Sequence, residues 1–271
     1  MLTHFRYTVM PSFVSSTKAI KNDTEIDAMR RAHFRDSASF VRFLAWLEYK
    51  ISEGYDITEY EAAFRLTEYR RTNKHFIGLT HEAISASGPN AALPHYSPNI
   101  STAAMIDREA PYLNDSGGQY EDGACGIART WIYGRPTTDH REAYTRVLQR
   151  HIAIDSAIFP EGTSGHQLDV LAGKGPWQDS IDYGPENGHG IGFLNMHEGP
   201  HSFSNNVALV PGHVITNEPG LCKSILIQYR SQPLIFVPRP CRKVRYPYQI
   251  RPRRTTNQGQ IRVRQRPLAR L

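Results

Sequence analysis

The sequence predicts an α+β fold in which segregated helices cover an antiparallel sheet. Three observations carry this. Two amphipathic helical patterns open the chain ahead of any strong strand signal. Later β-rich runs come as strand, turn and strand. The order helix, helix, strand pair, helix, helix, strand pair, strand makes two halves that echo each other, without a repeat of residue identity.

Asp23 and Thr24 are N-cap types, and Ile26, Met29, Phe40, Val41, Leu44, Leu47 and Ile51 recur at helical spacing up to Gly54. Thr58 to Glu61 form a capping box that opens a second helix, with Ala62, Phe64 and Leu66 on its apolar face and Arg70, Arg71 and Lys74 at its end. Gly88-Pro89-Asn90 breaks the pattern, and residues 91–96 read as a short strand that brings His95 to a loop edge. Residues 112–120 read as strand, tight turn and strand, continued by the β-rich residues 130–134, which implies an antiparallel hairpin. A helix with Tyr144, Val147, Leu148, Ile154 and Ile158 on its apolar side runs from Thr138 to a stop at Pro160, and a shorter helix spans 166–171. A strand pair with His189 and His197 and a strand with Glu218 complete the order.

Composition narrows the class. With 271 residues and 39% apolar content the chain can bury a substantial core. No apolar run nears the roughly 20 residues of a membrane span, and the first residues lack the pattern of a secretory signal, so a cytoplasmic protein without membrane contact is expected. Cys125, Cys222 and Cys241 show no CxxC spacing and read as free thiols. The net charge of +6 hides an asymmetry: 13 Lys and Arg and no acid follow Glu218, leaving 19 basic against 26 acidic groups up to that residue. Such a tail points to nucleic acid or another anionic surface, or to a segment of different origin.

Site chemistry concentrates between Tyr183 and Gly220. Glycines flank His189 and allow close backbone approach, His197 follows one short strand later, and Glu218 is the last carboxylate. Elsewhere, His95 beside Tyr96 reads as structural before it reads as functional. Asp115 fits an Asx turn and a site carboxylate equally well.

These motifs resemble a known family. KAIKND, TEI, AMRRAH and RD within 18–36, AWLE at 45–48, ISASGPNAALPHYSP at 84–98, LNDSGGQYEDG at 113–123 and ENGHGIGFLNMHEGP at 186–200 closely resemble Xaa-Pro aminopeptidases, the aminopeptidase P family. The resemblance covers about 11–220. It implies the pita-bread fold of the creatinase and methionine-aminopeptidase superfamily and a dinuclear manganese or zinc centre with two Asp, one His and two Glu ligands. Two divalent ions close together need carboxylates to bridge and neutralise them, and the water they hold becomes a nucleophile near neutral pH. Carried over by motif, Asp115, His189 and Glu218 are expected metal ligands, and His95 and His197 are expected to orient substrate and move protons. The expected substrates are peptides with proline in second position.

The departures from the family pattern bear on activity. Gly126 stands where the second Asp is expected, Gln228 where the second Glu is expected, and Pro185 where a further histidine is expected. At most one well-held ion follows. The expectation is an impaired Xaa-Pro aminopeptidase domain, the alternatives being a non-catalytic peptide-binding homologue or nucleic-acid contact through the basic tail alone. Residues 1–17 read as a short leader and 18–220 as the catalytic domain, with last strands to 237. Residues 238–271 read as a basic, disordered tail. The resemblance is compatible with a homodimer.

Overall fold

The computed structural model describes Thr8, Met10 and residues 12–93, 95–177, 187–222, 228–230, 234–236, 248–255 and 258–265. Helix α1 spans Phe13–Ala19, α2 Asp23–Ser52 and α3 Glu59–Arg71. The α2 N-cap is Asn22, one residue before the expected pair. Its side chain accepts from Glu25 N–H, and Glu25 accepts from Asn22 N–H in return. Thr58 and Glu61 close the expected box on α3.

Strands β1 (Phe76–Leu79) and β2 (Ile84–Ser87) precede a 3-10 turn, Gly88–Ala92. The expected strand over 91–96 is therefore absent. Pro89 at the first turn position favours the tight turn, and His95 has a left-handed φ of 55°. Then come β3 (Tyr112–Ser116), β4 (Gly118–Tyr120), β5 (Gly123–Ala124) and β6 (Ile127–Trp131). The expected hairpin within 112–120 does not form. β3 lies between β2 and β6 in one antiparallel sheet, while β4 lies between β1 and β5 in another, so the chain changes sheet at Gly117.

Helix α4 covers Thr138–Asp155, β7 Ile158–Pro160 and α5 Gly165–Trp177. Val147 and Ile154 are buried as expected, but Tyr144 and Leu148 face solvent and Ile158 lies in β7. Val41 and Phe64 are likewise exposed, because the buried stripes of α2 and α3 are narrower than their apolar content. Strands β8 (His189–Ile191), β9 (His197–Ser202) and β10 (Val214–Thr216) follow. They form one sheet in the order β13, β10, β8, β9, where β13 is Leu234–Phe236. β11 (Gly220–Cys222) pairs with β12 (Gln228–Arg230).

In the basic C-terminal stretch, β14 (Tyr248–Thr255) and β15 (Gln258–Gln265) form an antiparallel pair, and β15 also pairs with β7. This differs from the irregular tail expected from its Pro and Arg content. Ile261 and Val263 alternate with arginines at the period of a strand, and Pro252 stands on the edge strand of its sheet, where a missing N–H is tolerated.

Helix α2 joins the two halves. Its N-terminal part packs Ile26 and Met29 against Ile191, Met196 and Val214. Its C-terminal part packs Phe40, Phe43, Leu47 and Ile51 against Ala62 and Leu66 of α3, Tyr112 of β3 and Ile127 of β6. Full burial of a side chain such as Phe43 or Leu47 contributes about 1.5–3 kcal/mol. A third cluster joins Ile154, Leu168, Phe203 and Ile215. Cys125 is a buried free thiol; the side chains of Cys222 and Cys241 lie outside the described residues. No described helix is long and apolar enough to cross a membrane.

Two histidines sit inside this second half. The His201 and His213 rings stack with centroids 3.9 Å apart, and His201 Nε2–H donates to Val214 O at 2.8 Å. Burial depresses both pKa values, His201 to about 4 and His213 to about 3. In the unfolded chain both titrate near 6.5, so between that value and about 4 the unfolded state binds more protons. Stability should therefore fall on acidification below pH 6.5, by on the order of 1.4 kcal/mol per pH unit for each imidazole. Thermal melts from pH 7.5 to 4.5 check this, and a melting temperature that holds steady from 6.5 to 5 contradicts it.

Candidate metal and peptide site

Asp115 lies in β3, where its register partners are Ile84 of β2 and Ala128 of β6. It is buried, and its Oδ1 stands 3.6 Å from His81 Nε2. Register also locates position 126. Ser116 pairs with Ile127, so continuing the two-residue period places residue 126 on the face of the sheet shared by Asp115 and Ala128. That position is Gly126, which offers no side-chain donor atom. The nearby Asp122 does not replace it, because its carboxylate is paired with the Arg35 guanidinium.

His189 and Glu218 form the second part. Backbone holds both: Glu218 N–H donates to Asn187 O at 2.8 Å, and His189 N–H donates to Thr216 Oγ1 at 2.9 Å. Thr216 Oγ1 in turn donates to Glu218 Oε1 at 2.8 Å. Gly188 makes the approach possible, since a Cβ there would stand 2.1 Å from Thr216 O and its φ is +154°. His189 Nδ1–H donates to Gly190 O at 2.9 Å, which leaves Nε2 with a lone pair 3.0 Å from Glu218 Oε1. Two facing acceptors of this kind need a shared proton or a cation between them.

His197 opens β9 and stacks on His189 with ring centroids 3.9 Å apart. It remains exposed to solvent. Desolvation and then His189 lower its pKa, while Glu218 opposes them. His81 and His95 lie close enough to add smaller lowering effects. The structure thus brings His189, Glu218 and His197 together, sets Asp115 beside His81, and leaves His95 exposed on the loop after the 3-10 turn. β12, which contains Gln228, runs beside β3 and β6, but the Gln228 side chain lies outside the described residues, as do Pro185 and Glu186.

Among the described residues, this donor set does not fit two metal ions. His189 and Glu218 suit one cation; at the other position Asp115 faces an imidazole, and position 126 supplies no carboxylate. Among the described residues, no group of three or more His, Cys, Asp and Glu side chains converges as a metal site.

Sequence reading missed three residues that shape the site. Thr216 and His81 carry no signal in the sequence, because the contacts that matter are to residues distant in the chain. Glu59 is hidden in the α3 capping sequence, yet it is fully buried. Its carboxylate accepts from Ser87 N at 2.6 Å, Ala104 N at 3.0 Å, Tyr96 Oη at 2.6 Å and Asn90 Nδ2 at 3.1 Å. It thereby ties both ends of the loop that carries His95. Burial and this carboxylate push the Tyr96 phenol pKa up.

Comparison with known proteins gives this geometry a setting. The model of metallopeptidase family M24 matches residues 27–238, beyond Gly220, where the motif resemblance stops. A probable Xaa-Pro aminopeptidase P of Laccaria bicolor is 43% identical over 237 residues, covering 85% of this chain and 37% of the relative. The crystal structure of an X-prolyl aminopeptidase from Caenorhabditis elegans, described as a cytosolic enzyme with a di-nuclear active site, superposes with a TM-score of 0.83 at 33% identity. That match covers 93% of this chain and 40% of the nematode enzyme. A prolidase from Pyrococcus furiosus shares the fold, with a TM-score of 0.73 at 24% identity over 83% of this chain and 64% of the prolidase. The chain thus spans well under half the length of the Laccaria and nematode relatives.

Glu59→Gln replaces an acceptor-only carboxylate with an amide that must present a donor to some of the same N–H groups. Hydrogen exchange at the Ser87 and Ala104 amides should accelerate at least about tenfold, since a lost bond to a charged group is worth roughly 1.5–3 kcal/mol. Unchanged protection at both amides contradicts the anchoring role.

Proposed function

The chain belongs to metallopeptidase family M24, and on that premise we propose that it recognises peptides with proline in second position but hydrolyses them poorly. It is an Xaa-Pro aminopeptidase-like metallopeptidase domain of the pita-bread fold. The observation that carries the proposal is glycine at position 126, on the face of the sheet that holds Asp115. A carboxylate there would be needed to bridge two divalent ions and offset their charge. Without it, His189 and Glu218 hold at most one ion, manganese or zinc, and Asp115 stays with His81.

In this reading the chain's own residues retain peptide recognition. His95 and His197 are exposed beside the ligand positions, and the depressed pKa of His197 keeps it neutral near pH 7, able to accept or donate a hydrogen bond to a peptide. The domain extends over 18–220 with further strands to 237, in keeping with the pairing of β13 with β10 and of β12 with β11. A cytoplasmic setting accords with the nematode relative, described as cytosolic.

The test is hydrolysis of an Xaa-Pro tripeptide with added manganese, comparing the wild-type chain with Gly126→Asp combined with Gln228→Glu. The wild type should be at least about a hundredfold slower than the double variant, given that loss of a principal electrostatic stabiliser typically costs 10²–10³ in turnover. Wild-type turnover equal to that of the variant, in the common enzymatic range of about 1–10³ s⁻¹, would overturn the reading.

A further inference from the structure

The placement of His197 is not set by regular strand pairing. Within the β8 and β9 pair, His189 stands opposite Ser202, but Ile191 stands opposite His197, so β9 inserts extra residues and its register shifts between the two. A bulged strand end is free to re-aim its side chains unless something else holds it. Here the hold comes from behind. Glu198 follows His197, and by the strand period its side chain leaves the opposite face.

The Glu198 carboxylate is 9% exposed and lies between two ammonium groups from the start of the chain. Lys18 Nζ is 3.0 Å from Glu198 Oε1, and Lys21 Nζ is 3.6 Å from Oε2. The Lys21 side chain is 1% exposed, and its backbone N–H donates to Gly212 O at 2.9 Å, which fixes the α1–α2 junction on the loop before β10. Gly192 leaves room for the carboxylate, since a Cβ there would stand 2.7 Å from Glu198 Oε2. A buried carboxylate stays charged only with such partners, and removing them leaves a strong drive to move toward water.

We propose that Lys18 and Lys21 act through Glu198 as positioning residues for His197, so that the N-terminal segment sets the geometry of the peptide-binding face. This deepens the reading of the site given above and rests on it where peptide affinity is the readout.

The test uses the full chain, two substitutions and two readouts. Glu198→Gln is isosteric, and Lys18→Ala removes a side chain that is 60% exposed. The first readout is the His197 ring ¹H–¹³C resonance at a single pH, assigned with His197→Gln; the stack on His189 makes it sensitive to ring placement. The second is the calorimetric affinity for Ala-Pro-Ala. Both variants should move the His197 resonance and weaken the peptide by about tenfold or more, the usual effect of losing an outer-shell partner, and Lys18→Arg should restore both. An unmoved His197 resonance in either folded variant overturns the proposal. If the wild type binds no Ala-Pro-Ala, the functional reading fails, and the resonance alone decides the clamp.

Discussion

The site depends on one buried ion pair. Asp36 of α2 and Arg70 of α3 have no solvent exposure, and Asp36 Oδ1 accepts from Arg70 Nε at 2.9 Å. The same oxygen accepts from Gly118 N at 3.1 Å and Tyr120 Oη at 2.9 Å, while Arg70 Nη2 donates to Asp36 Oδ2 at 3.0 Å and Ser116 O at 3.2 Å. Two helices are thereby fastened to the point where the chain passes from one sheet to another, directly after Asp115. Replacing such a pair by apolar side chains can be neutral, but removing one partner leaves a buried charge and typically costs about 3–5 kcal/mol. The helices thus orient Asp115 through charge as well as packing.

Around that scaffold, His189 and Glu218 are held by contacts that do not involve position 126. The Asn187 carbonyl and the Thr216 hydroxyl hold Glu218 and His189 in facing positions. Loss of a carboxylate at position 126 disturbs none of those contacts. It alters only how much positive charge the cleft can neutralise. Binding a peptide needs shape and hydrogen bonds; activating water between two cations needs dense negative charge as well. The two demands separate when bridging ligands are replaced.

Much of the fold was legible where one local signal dominates. The Thr58–Glu61 capping box appears as read, and so, apart from the exposed Val41, does the α2 stripe from Ile26 to Ile51. Legibility failed where the deciding contact lies far away in the chain. Residues 112–120 look like a hairpin, but Asp36 and Arg70 pull the chain into a second sheet at Gly117. Tyr144 and Leu148 satisfy helical spacing on α4 and still face solvent, since periodicity marks a stripe without saying how much of it is covered. At the site, the ligand and proton-moving roles of Asp115, His189, Glu218 and His197 came from motif resemblance. Their surroundings did not: Glu59, Thr216 and His81 are ordinary residues whose importance arises from contacts distant in the chain.

With no carboxylate at position 126, the cleft should hold at most one divalent ion. Titration calorimetry of the chelator-stripped, full chain with manganese tests it directly. The expected stoichiometry is no greater than one, rising when Gly126 is replaced by aspartate. Two equivalents bound tightly by the wild-type chain would contradict it.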